Sequence, residues 1–123
     1  MHSEPRRVLV VDDNPDMCES LQVLLGHLGF EAVVAADGQQ ALDLQRRTPV
    51  KILITDIFMP GKEGIETIQA FRTEWPQLKI VAMSGGGETA RRDYLGVATE
   101  LGAHGILRKP FSLEQLQAVL LRL

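Results

Sequence analysis

Cysteine is almost missing, with Cys18 the single thiol in 123 residues. One thiol can neither close an internal disulfide nor furnish a thiolate cage for a metal, so the expected compartment is the reducing cytoplasm. Cys18 has no histidine or basic residue within a helical turn and therefore reads as a small packed residue. Also missing is any apolar run near the ~20 residues that span a bilayer. The stretch from Met1 to Arg7 is polar and charged, so no export signal and no membrane partner are expected. The 13 basic residues are spread along a chain of formal net charge -3, with no stripe able to track phosphates, and no direct contact with nucleic acid is expected. Without repeats, low-complexity tracts or linkers, the chain is expected to form one domain, residues 1–123, with 1–6 as a flexible tail.

What the sequence does have is alternation. Five short apolar runs recur: Val8 to Val11, Ala32 to Ala35, Ile52 to Ile54, Ile80 to Met83 and Ile106 to Leu107. They are rich in β-branched residues and mostly continuous, the pattern of parallel strands covered on both faces. Between them lie stretches of helical period, with apolar stripes at Met17, Leu21, Leu24, Leu25 and Leu28, at Ile65, Ile68, Phe71 and Trp75, and at Ala90, Tyr94, Val97, Ala98 and Leu101. Asn14 before Pro15, Asp37 before Gln40 and Ser112 before Gln115 mark helix starts. Gly29 and Gly102 stand where a helix ends in left-handed geometry. Strand, helix, strand repeated five times implies right-handed crossovers, and so a three-layer α/β sandwich with a five-stranded parallel sheet and five helices.

Ligands of such sheets bind at the carboxyl ends of the strands. Asp12 and Asp13 follow the first run, Asp56 the third, Ser84 the fourth and Lys109 the fifth. Clustered carboxylates repel unless a hard divalent cation accepts their oxygens, and magnesium suits Asp12, Asp13 and Asp56 because it pairs one or two carboxylates with phosphate oxygens. Lys109 and Ser84 add an ammonium and a hydroxyl for a transferring phosphoryl group. No histidine stands at a strand end, which argues against a hydrolytic triad. A carboxylate needs no base to act as nucleophile, and Asp56, on the central strand, is the best placed to form an acyl phosphate.

These residues resemble the receiver domain of two-component response regulators, the family that includes chemotaxis regulators. The resemblance runs from Arg7 to the last helix and rests on VLVVDDNP at Val8 to Pro15, TDIFMPGKEG at Thr55 to Gly64, Ser84, and LRKPF at Leu107 to Phe111. It implies the flavodoxin-like strand order 2-1-3-4-5, Mg2+ held by Asp12, Asp13, Asp56 and the backbone carbonyl of Phe58, and a cis peptide from Lys109 to Pro110. It further implies that Asp56 takes a phosphoryl group from a sensor histidine kinase or phosphotransfer protein, with Lys109 and Ser84 contacting that group. The expected partners downstream are an effector or output domain, and a phosphorylation-dependent homodimer. The enzymology this implies is limited to autophosphorylation and autodephosphorylation in the service of signalling.

Two departures stand out. Ile106 occupies the place where the family usually has Tyr or Phe, and Ser84 and Lys109 lie 25 positions apart, longer than usual by about one helical turn, with Gly85 to Gly87 opening the extra length. Activation is therefore expected to reorder the stretch from Gly85 to Leu101 instead of turning an aromatic ring. Ile106 also keeps open an alternative, a pseudo-receiver that binds partners without phosphorylation. A hydrolase or nucleotide carrier of similar topology has little support, since no GxxxxGK[ST] loop exists and no acid stands two residues beyond Asp56.

Overall fold

The computed structural model describes residues 6–57, 63–85, 96, 99–100 and 102–123. Its five strands are β1 (Arg6–Val11), β2 (Phe30–Ala35), β3 (Ile52–Asp56), β4 (Lys79–Ser84) and β5 (Gly105–Arg108). They pair in parallel in the order β2-β1-β3-β4-β5. Four helices are present among the described residues: α1 (Pro15–His27), α2 (Gly38–Arg47), α3 (Glu63–Glu74) and α4 (Leu113–Leu121). The further helix expected over Ala90 to Leu101 falls largely outside the described residues, as do Phe58, Gly86 and Gly87. Residue 6, expected in the tail, instead begins β1, because its backbone pairs with Phe30.

Alternation along each strand divides the apolar side chains between two faces. Leu9, Val11, Leu53, Ile80 and Ala82 pack with Ala41 of α2 and with Ile68 and Phe71 of α3. Val8, Val10, Ile54, Val81 and Met83 pack with Cys18, Leu21 and Leu25 of α1 and with Leu116 and Val119 of α4. Both faces are covered, which is why the strands read as unbroken apolar runs. A fully buried Leu or Ile contributes about 1.5–3 kcal/mol, so these two clusters supply the main drive for folding.

The helix ends follow local chemistry. The Asn14 side chain accepts from the N–H groups of Asp16 and Met17, and Pro15 fills the first helical position, where no N–H is needed. At α2 the Asp37 carboxylate accepts from Gln40 N, while the Gln40 side chain reaches one residue further back, to Ala36 N at 2.6 Å. Ser112 and Gln115 form a reciprocal capping box on α4. Gly29 and Gly102 have φ of 88° and 101°, the left-handed values that favour glycine after a helix. These stops turn the chain so that each strand runs the same way, which brings five carboxyl ends to one rim.

Candidate functional site

Asp12 leaves β1 at that rim, its backbone N–H bonded to the Ala35 carbonyl at 3.1 Å and its residue only 1% exposed. Its Oδ1 accepts from Asn14 N at 2.9 Å, so the helix-capping turn also fixes the carboxylate. Asp56 ends β3 and is 4% exposed. From the far side of the sheet, Lys109 follows β5 and sends its ammonium between the two acids, with Nζ at 2.7 Å from Asp12 Oδ2 and 3.2 Å from Asp56 Oδ2. Asp13 stands exposed beside them. One carboxylate oxygen from each of Asp12, Asp13 and Asp56 lies within 4.8 Å of the others.

Ser84 closes β4 one step beyond Met83, the register partner of Asp56. The Ser84 carbonyl accepts from Lys109 N at 2.7 Å, tying the two residues together. The Ser84 hydroxyl is fully buried and, among the described residues, has no hydrogen-bond partner. A buried hydroxyl without a partner costs free energy, so a group that accepts from it is implied. The Lys109–Pro110 peptide is cis, as the resemblance implies.

Burial pulls the Lys109 ammonium toward neutrality, yet its hydrogen bond to Asp12 and the charges of Asp56 and Asp12 outweigh that effect and raise its pKa above the ordinary lysine value. The ammonium stays charged. Cys18 donates to the Asp12 carbonyl oxygen at 3.4 Å, and burial followed by the Asp12 charge raises its thiol pKa, which disfavours the thiolate.

Three carboxylates facing one ammonium leave a surplus of negative charge and a set of hard oxygen donors. That donor set fits a hard divalent cation such as Mg2+, with Asp12, Asp13 and Asp56 as the protein ligands. The expected Phe58 carbonyl lies outside the described residues.

The structure also assigns roles that sequence reasoning did not single out. A Cβ on Gly64 would stand 2.5 Å from Ile57 Cα, so only glycine lets α3 start against the backbone just past Asp56. A Cβ on Gly85 would meet Lys109 Cδ at 3.2 Å, so the lysine stem runs across that glycine toward the acids. The position of Gly64 inside the TDIFMPGKEG motif is a signal that could have drawn attention to it. Ile106 is half-buried on β5, paired with Ala82 and packed against the α2/α3 side of the core.

Residues 8–121 match the family model described as response regulator receiver domain. The chain is 39% identical over 112 residues to the transcriptional regulatory protein CpxR of Escherichia coli (strain K12), an alignment covering 91% of this chain and 46% of that protein. It is 33% identical over 120 residues to the DNA-binding response regulator MtrA of Mycolicibacterium smegmatis, covering 96% and 50%. The chain thus spans about half the length of the curated relatives it matches. Among solved structures, the chemotaxis protein CheY4 of Vibrio cholerae superposes with a TM-score of 0.84 at 28% identity, covering 97% of this chain and 98% of that one. Strand order, rim chemistry and these likenesses agree, and the chain belongs to the response regulator receiver domain family of two-component signalling.

Proposed function

We propose that the domain accepts a phosphoryl group on Asp56, with Mg2+ held by Asp12, Asp13 and Asp56, and that the modification alters a partner-binding surface. The single observation that carries this reading is the Lys109 ammonium bridging Asp12 and Asp56 at a rim where the Ser84 hydroxyl is buried without an acceptor.

In the transfer, an Asp56 carboxylate oxygen attacks the phosphorus of a phosphohistidine. The P–N bond breaks, the imidazole leaves and takes up a proton from solvent, and an acyl phosphate remains on Asp56. A bound divalent cation supplies charge neutralisation for the phosphoryl oxygens. Asp12 and Asp13 hold that charge in place, the Lys109 ammonium is free to exchange its Asp56 contact for a phosphoryl oxygen, and the Ser84 hydroxyl gains the acceptor it lacks. Hydrolysis by water at phosphorus returns Asp56.

The donor in this reading is a sensor histidine kinase or phosphotransfer protein, and the output is an effector or attached domain. Nucleic acid is contacted only through such an output. The partner surface is the face built from β5 with Ile106 and the last helix, where Ile106, Leu107, Phe111, Gln115 and Arg122 line a groove. A phosphorylation-independent interaction module is disfavoured, because such a module has no use for a buried ammonium between two buried carboxylates. Intact-mass measurement after incubation with acetyl phosphate tests the proposal. The expected result is one phosphoryl mass on the wild type with Mg2+, and none with chelator or on Asp56→Ala. A wild type that gains no phosphoryl mass would overturn it.

A further inference from the structure

The opposite rim, at the amino ends of the strands, carries the reverse charge. Arg6 and Arg7 begin β1 and Lys51 directly precedes β3, and together with Phe30, Pro49 and Ile52 they line a concavity of about 480 Å³. Arg6 and Arg7 point to opposite faces of the sheet by strand alternation, so a pocket lined by both opens at the end of the sheet. Among the described residues the only carboxylate paired with these cations is Glu31, which accepts from Arg7 Nε at 3.1 Å, with both side chains about half exposed. Arg6 and Lys51 have no acidic partner there. In a chain of net charge -3, two cations around one pocket with no carboxylate partner among the described residues mark a place suited to an anion.

The walls narrow the choice of anion. The Arg6 guanidinium carbon lies 5.9 Å from the Phe30 ring centroid, a cation–π contact that orients the guanidinium over an aromatic floor. Phe30, Pro49 and Ile52 give apolar surface that a bare inorganic ion would leave uncovered, whereas a ring bearing a phosphate uses both parts of the pocket. We propose that this rim is a second ligand site, for an organic phosphate of mononucleotide size, with its ring against the apolar surface of Phe30 and Ile52 and its phosphate held by Lys51 and Arg6. Arginine suits that task through paired N–H donors, and lysine as a point charge. The six residues of β1 separate this rim from the acidic one by roughly 20 Å, so the two sites do not compete for one ligand.

The test uses amide NMR spectra of the whole chain in chelator, without Mg2+, titrated with adenosine monophosphate. Adenosine and inorganic phosphate serve as controls, and Asp56→Ala, Lys51→Gln and Arg6→Gln as variants whose spectral dispersion reports that they are folded. The proposal expects saturable shifts at Phe30, Val50, Lys51 and Ile52, unchanged in Asp56→Ala and weakened at least about tenfold in Lys51→Gln. Adenosine and inorganic phosphate are expected to bind far more weakly. It is overturned if adenosine monophosphate gives no saturable shift, if inorganic phosphate alone binds equally well, or if Lys51→Gln binds like the wild type. Because the Asp56→Ala variant lacks the phosphoacceptor, a failure here and a failure of phosphoryl transfer are read separately.

Discussion

The two rims of the sheet are built from the same strands and carry opposite charge in opposite settings. At the carboxyl rim, Asp12, Asp56 and Lys109 are buried or nearly so, and the ion pairs are short and shielded from water. At the amino rim, the Arg7–Glu31 pair is half exposed and Lys51 faces solvent. The same kind of charge therefore has different consequences. Buried, it is costly to leave unpaired and poised for chemistry; exposed, it is screened and suited to reversible binding. The contrast separates the two rims by burial as much as by residue type.

The largest effect is expected from Lys109→Met, which keeps an apolar stem across Gly85 but leaves two buried carboxylates facing each other. In chelator at neutral pH it is expected to lose about 3 kcal/mol of unfolding free energy, as for the breaking of a buried pair. Urea titration should show the loss shrinking with added Mg2+, and an unshifted midpoint in chelator would contradict the pairing. Next comes Gly64→Ala, whose Cβ meets the Ile57 backbone. Overpacking of this kind costs about 1–3 kcal/mol, read by thermal unfolding, and the backbone shift beside Asp56 should slow phosphorylation by acetyl phosphate.

A smaller effect is expected at His104. Its backbone N–H donates to the Ile80 carbonyl at 2.7 Å, and its ring Nδ1 accepts from Ile80 N at 3.0 Å. The ring thus takes the place of a strand carbonyl at the start of β5. Burial, then the charges of Lys79 and Arg72, lower the His104 pKa from the ordinary 6.5. The unfolded chain therefore binds the proton more tightly than the folded one. The stabilisation is present above about pH 6.5 and is lost as pH falls from there through the lowered folded value. The loss should stay below about 1 kcal/mol because the ring is largely exposed. Unfolding midpoints across this range should show a step that His104→Ala lacks. Smallest is Arg46→Ala. This residue joins α2 to α3 through Glu74 on the surface, and its hydrogen bonding to Glu74 raises the arginine pKa and lowers that of the acid. Exposure removes most of the benefit, and no measurable change in the unfolding midpoint is expected.

How far the sequence revealed all this depended on the kind of signal. Burial on both faces wrote the strand centres into continuous β-branched runs, so Val8 to Val11 and Ile80 to Met83 were legible. The strand ends were not, because Arg6, Arg7, Lys79 and Arg108 pair through backbone that carries no mark in their side chains. Strand-end polarity likewise made Asp12, Asp13, Asp56 and Lys109 readable as a cluster. Contacts set by tertiary packing left no pattern. Gln45, 1% exposed, both donates to the Val50 carbonyl and accepts from Val50 N, and the His104 ring accepts from Ile80 N across the sheet. Close approach at Gly64 depends on how α3 meets β3, which single-residue propensities do not encode.

In the proposed function, five groups from four strand ends surround one phosphoryl position. Amide spectra recorded as a beryllium fluoride complex is added with Mg2+ probe this arrangement, since that complex mimics a phosphoryl group on a carboxylate. Stoichiometric changes are expected at Asp12, Asp13, Asp56, Ser84 and Lys109 in the wild type and none in Asp56→Ala. A wild-type spectrum that stays unchanged at Ser84 and Lys109 would contradict it.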